Sequence, residues 1–152
     1  MATFSALDGD LGMPDQNWTV LARELGRRGE LSEKDVQTVE ILDLYGALIG
    51  NTDKHHENIA VAWSLNRRHQ LLDAYDMLPM LYRPNTHGEI VERKWVPELG
   101  ARLELRHLSQ CYEMANQFWT DVLNDTRVSG EFKRDVAYRH LNTMRTLDTQ
   151  QI

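Results

Sequence analysis

Asp53-x-x-x-x-Asn58, followed further along the chain by Asp76, is the grouping whose residue types could do chemistry. Phosphoryl transfer from ATP asks for little covalent chemistry from a protein. It needs a carboxylate that accepts the proton of the attacking hydroxyl. It also needs hard oxygen ligands for Mg²⁺, which neutralises charge on the phosphates. Protein kinases place the base and one metal ligand on a single loop as D-x-x-x-x-N, and a second Asp ligand follows after a short hairpin. In this reading Asp53 is the general base, with Asn51-Thr52 available to orient its carboxylate. Asn58 offers a neutral amide oxygen to Mg²⁺, and Asp76 supplies the anionic ligand between metal and phosphates. His55 stands where it could contact phosphate or organise the loop.

The bare spacing is common in solvated loops, so the case rests on what surrounds it. Ser32 is a good N-cap, and Glu33 and Asp35 favour the positive end of a helix dipole. Val36, Val39, Leu42, Tyr45 and Ile49 trace one stripe, which Leu44 and Leu48 widen, as in a deeply buried helix that Gly50 ends. The polar run from Asn51 to Asn58 is then a loop. Ile59 to Trp63 reads as a short strand, Leu65 to Arg68 as a turn, and Gln70 to Tyr75 as the strand that completes a hairpin. Leu78-Pro79 breaks that strand.

Elsewhere the spacing predicts a loop over Ser5 to Gln16, because of Gly9, Gly12 and Pro14, and a helix over Trp18 to Leu25 closed by Gly26 and Gly29. Tyr82 to Gly100 reads as irregular. Leu108 to Leu123 reads as a helix, and Ser129 caps a last helix carrying Phe132, Val136, Leu141 and Met144. The expected fold is mostly α with a small β-hairpin that carries the polar loop. Trp119, Phe118 and Tyr112 read as core. Met77 and Met80 read as packing beneath the loop, and Arg27-Arg28 as a solvated helix end.

The chain has 152 residues, 41% of them hydrophobic and 26% charged, with a formal net charge of -6. That suits one folded domain of residues 1–152. The acidic balance and scattered basic residues argue against a general nucleic-acid binder. The single cysteine, Cys111, forms no internal disulfide and needs no oxidising compartment. The opening residues lack the basic region of a signal peptide, and no apolar run approaches a membrane span. A cytoplasmic protein is the expectation. His55-His56-Glu57 raises the thought of zinc, but adjacent loop histidines point apart and there is no H-E-x-x-H helix.

The segments Leu48-Ile49-Gly50-Asn51-Thr52-Asp53-Lys54-His55-His56-Glu57-Asn58 and Ala74-Tyr75-Asp76-Met77-Leu78-Pro79-Met80 closely resemble the HipA family of bacterial serine/threonine kinases, toxins of toxin–antitoxin pairs. Ser5-Ala6-Leu7-Asp8 and Glu30-Leu31-Ser32 look like the family too, and the likeness weakens after about Gly100. The resemblance implies that Asp53 matches the catalytic base, His55 a loop position near the nucleotide, and Asn58 and Asp76 the Mg²⁺ ligands. It implies ATP as substrate, a helical C-terminal lobe of kinase-like fold, and HipB-like helix-turn-helix antitoxins as partners. The protein substrates implied include aminoacyl-tRNA synthetases.

Nothing in the chain resembles the family's N-terminal lobe, with its Gly-rich phosphate loop and ATP-contacting Lys. The chain therefore looks like the C-lobe alone: a truncated gene, one half of a split kinase, or an excised fragment. Two other functions fit the same residues. One is a catalytically dead module that sequesters an antitoxin or a full-length homologue. The other is a fragment of a small-molecule phosphotransferase, which shares Asp53-x-His55-x-x-Asn58. An exposed apolar patch near Met80, Leu81 and Tyr82 is expected where the other lobe would pack.

Overall fold

Side-chain caps set where several helices of this computed structural model begin. It describes residues 1–13, 16–66, 68–96 and 107–151. Asn17 accepts from the backbone N–H of Val20 and starts α2 (Trp18–Arg27). Ser32 accepts from Asp35 N–H and starts α3 (Glu33–Ile49), whose first turn holds Glu33 and Asp35 as expected. Each such cap satisfies a donor that the helix leaves unpaired. Gly50 ends α3 with φ 83°, the left-handed conformation that costs a glycine nothing, and its N–H returns to the last turn of the helix.

The wide stripe of α3 has a structural reason. The helix packs on α2 with one flank and on α4 (Leu108–Asn124) with the other. Val39 enters a core built from Phe4, Leu7, Trp18, Leu21, Leu25, Ile59 and Val61. Leu44, Leu48 and Ile49 enter a second core with Tyr82, Trp95, Cys111, Trp119, Leu141 and Met144. A helix that serves two cores cannot show a narrow apolar face.

The fold is mostly helical with a small antiparallel sheet. That sheet has three strands in the order β1 (Ala2–Thr3), β2 (Ala60–Ala62) and β3 (Gln70–Leu71). Ala2 faces Val61 and Thr3 faces Ala60, while Val61 faces Leu71 and Ala62 faces Gln70. Three expectations are corrected here. The segment assigned to a loop from Ser5 holds α1 (Phe4–Leu11), because Phe4 and Leu7 bury into the α2 core despite Gly9. The strand β1 precedes it and was not expected. The second hairpin strand stops at Leu71 instead of Tyr75, since the chain leaves the sheet to carry Tyr75 to the loop around Glu57.

After β3 the described chain runs irregularly, apart from a 3₁₀ turn at Met80–Tyr82. Within the expected exposed apolar patch, Tyr82 is corrected: it is buried with its hydroxyl on Nδ1 of His140 at 2.7 Å, while Met80 and Leu81 are half-buried. The large apolar side chains that do face solvent include Trp63, Leu65, Tyr75 and Leu78. Ser129 caps the last helical stretch through Phe132 N–H. This stretch is α5 (Gly130–Phe132), a π turn (Lys133–Ala137) and α6 (Tyr138–Gln151).

His140 of α6 is wedged between the rings of Trp95, at 4.2 Å, and Trp119, at 4.4 Å. Its Nε2–H donates to the Leu48 carbonyl at 2.8 Å, and the Tyr82 hydroxyl donates to its Nδ1. Burial pushes the imidazole down to about 4 from 6.5, although the Leu48 bond opposes the shift. The same burial raises the Tyr82 phenol well above its ordinary value. Trp119 is fully buried, with Phe118 and Tyr112 packed against the same core, as the sequence suggests. Arg27 and Arg28 both lie over Glu24 at the solvated end of α2. Among the described residues no helix is long and apolar enough to cross a membrane.

Candidate functional site

The polar loop begins where Gly50 turns the chain off α3, and side chains fasten it along its whole length. Asn51 is buried; its Oδ1 accepts from Asp53 N–H at 2.9 Å, an Asx turn that fixes the backbone entering Asp53. The sequence reading gave Asn51 the Asp53 carboxylate as partner, whereas it holds the backbone instead. Asp53 is left with its carboxylate partly open to solvent, 3.8 Å from Nε2 of His55. The backbone carbonyl of His55 is held by the indole N–H of Trp18 at 3.1 Å, so the loop is tied to the first turn of α2.

His56 turns the other way, as adjacent loop side chains do. Its Nδ1 lies 3.2 Å from Asp8 Oδ2 and its Nε2 lies 2.7 Å from the Gln16 carbonyl oxygen. A 3₁₀ turn, His56–Asn58, closes the loop. Asn58 is buried at its end, and its amide nitrogen donates to the Asp53 backbone carbonyl at 2.9 Å. That bond fixes which end of the amide is which. The nitrogen is used within the loop, and the oxygen is the end able to ligate a cation.

Asp76 lies on a different segment, and its two neighbours bind it to the loop. The Tyr75 hydroxyl donates to the Glu57 carbonyl, and the Asn51 amide contacts the Met77 sulfur at 3.8 Å. A third tie is Leu81 N–H to the Gly50 carbonyl at 3.0 Å. Asp76 itself is exposed and has φ 55°, the sole non-glycine residue at positive φ among those described. Such a conformation costs free energy and persists only where the surroundings impose it.

The sequence-predicted residues thus fall on one loop and on the turn fastened to it. Asp53 and Asn58 are joined directly, and Asp76 is bracketed by residues bonded to positions 51 and 57. Met77 packs under the loop as expected. Among the described residues no three His, Cys, Asp or Glu side chains gather into a cluster that could hold a metal by themselves.

Sequence reasoning missed the support beneath the loop. Lys54 Nζ donates to both the carbonyl and Oδ1 of Asp43 on α3, and Asp43 Oδ2 accepts from Thr19 Oγ1 at 2.8 Å. A signal for it exists. Asp43 falls four positions after Val39 on the inward stripe of α3, and a carboxylate there requires a partner.

Against curated proteins, the chain is similar to Toxin YjjJ of Escherichia coli (strain K12), 28% identical over 117 residues. The match takes in 77% of this chain and 26% of that protein, so the chain spans about a quarter of the curated relative's length. No family model matches. No solved structure matches significantly.

Proposed function

We propose that this chain supplies the base and metal ligands of a phosphoryl-transfer site, as the C-terminal lobe of a HipA-like serine/threonine kinase with a toxin role. The observation that carries the reading is the bracketing of Asp76. The residues on either side of it are bonded to the loop that bears Asp53 and Asn58, as a shared cation pocket requires. The similarity to Toxin YjjJ supports the toxin role.

The division of labour follows from the local bonds. Asp53 has its backbone pinned by Asn51 and its carboxylate left accessible, as befits a group that accepts a proton from a serine or threonine hydroxyl. Asn58 would present its amide oxygen, and Asp76 its carboxylate, to Mg²⁺ bound with ATP. When bound, Mg²⁺ would neutralise charge on the phosphate oxygens. His55, partly exposed beside Asp53, would contact phosphate. The Gly-rich loop and ATP-contacting Lys would come from an N-lobe on another chain or in a longer protein. A helix-turn-helix antitoxin is the partner, and an aminoacyl-tRNA synthetase the protein substrate, that this reading entails.

Mixing the chain with such an N-lobe should give ATP-dependent phosphorylation of a protein hydroxyl. Asp53→Asn should then lower the rate by roughly 10²–10⁴-fold with the complex intact. Equal transfer by the Asn variant would refute the assignment.

A further inference from the structure

Two residues that follow the proposed functional carboxylates meet at one point on α3. Lys54 follows Asp53, and Met77 follows Asp76. A Cβ placed on Gly46 would sit 2.9 Å from Cδ of Lys54 and 3.3 Å from Cε of Met77. Both side chains therefore lie across the bare backbone of one glycine. The residue is otherwise out of place, since a glycine inside a helix is less favourable than alanine.

Each of the two side chains is held there from its far end. The Lys54 ammonium reaches past Gly46 to the carbonyl and carboxylate of Asp43, with side-chain exposures of 22% and 6%. Asp43 is anchored in turn by the hydroxyl and backbone N–H of Thr19, which is fully buried. Met77 is held by the Asn51 amide on its sulfur. A lysine beside a phosphate-handling carboxylate would ordinarily reach for phosphate. This one is turned inward to a buried partner instead.

We propose that Gly46 is the shared seat that fixes the spacing between Asp53 and Asp76, with Lys54 and Asp43 as a positioning pair and Met77 as its counterpart. The inference rests on the phosphoryl-transfer reading for its purpose, but not for its geometry. Gly46→Ala is the direct probe. Alanine suits a helix better than glycine, so the fold is retained. The new methyl must displace the Lys54 stem, the Met77 methyl, or both.

The test uses Mn²⁺ alone, titrated into the full chain and followed by paramagnetic broadening of backbone amide signals. In the wild type the amides around Asn58 and Asp76 should broaden together, at one midpoint. In Gly46→Ala the midpoint should rise on the order of tenfold, or the two groups should broaden separately. A displacement of about 1 Å is enough to break a shared site. The amide signals of α4 should keep their wild-type positions, which shows that Gly46→Ala is folded. Joint broadening at an unchanged midpoint in Gly46→Ala would overturn the seat.

Absence of joint broadening in the wild type would overturn the metal reading instead. Amide hydrogen exchange would then decide the seat by itself. Faster exchange at Asp53, Lys54 and Met77 in Gly46→Ala, with α4 unchanged, supports it, and unaltered exchange there refutes it. In the reconstituted kinase, Gly46→Ala should lower kcat and raise the Mg²⁺ concentration that gives half-maximal rate. An unchanged kcat and Mg²⁺ requirement would refute the positioning role.

Discussion

Protonating His140 should unfold this protein from its second core outward, and the size of the effect can be worked from its surroundings. The imidazole is only 2% exposed and lies between two tryptophan rings that exclude water. Its Nε2–H is committed to the Leu48 carbonyl and its Nδ1 accepts from the Tyr82 hydroxyl. A proton on Nδ1 would set two donors against each other and place a charge where nothing solvates it. The group therefore titrates at about 4 when folded, against 6.5 in an open chain.

Because the folded value is the lower one, the unfolded state binds more protons between these limits. The stability that this residue contributes is complete above about pH 6.5 and is lost as the pH falls from there toward 4. At about 1.4 kcal/mol per unit, the loss is about 2 kcal/mol by pH 5. Urea unfolding at pH 7.5 and pH 5 measures it, with His140→Gln as the reference that removes the titrating ring. The wild type should lose about 2 kcal/mol more than the variant over that interval. Equal losses in the two proteins would refute the argument.

Two further outcomes follow from backbone conformation. Asp76→Gly should raise stability by about 0.5–1 kcal/mol, since glycine accepts the positive φ without strain, while Mn²⁺ binding at the site disappears. A melting curve and a metal titration on the same sample check both halves. Gly50→Ala should have the opposite sense, a loss of about 1–2 kcal/mol in urea unfolding, because the residue has φ 83°, where a Cβ is strained whatever the space around it.

Much of the site was legible because its determinants are local. Ser32, the stripe of α3 and Gly50 locate the helix that delivers the loop, and the polar run from Asn51 to Asn58 reads as that loop. The rest depends on contacts distant in sequence. Phe4 and Leu7 make a helix across Gly9 only because the α2 core receives them, and Tyr75 leaves the sheet for a carbonyl on another segment. Tyr82 looked like surface because nothing nearby in the sequence points to His140, its partner from α6. The seat at Gly46 was hidden for the same reason. A glycine inside a helix pattern shows that something approaches closely, but not what.

The central claim is that Asn58 and Asp76 share one cation beside Asp53. An anomalous difference map from crystals of this chain grown with Mn²⁺ tests it most directly. The account predicts one peak about 2.1 Å from both Asn58 Oδ1 and an Asp76 carboxylate oxygen. A peak bound by other residues, with these two oxygens too far apart to reach one ion, would contradict it.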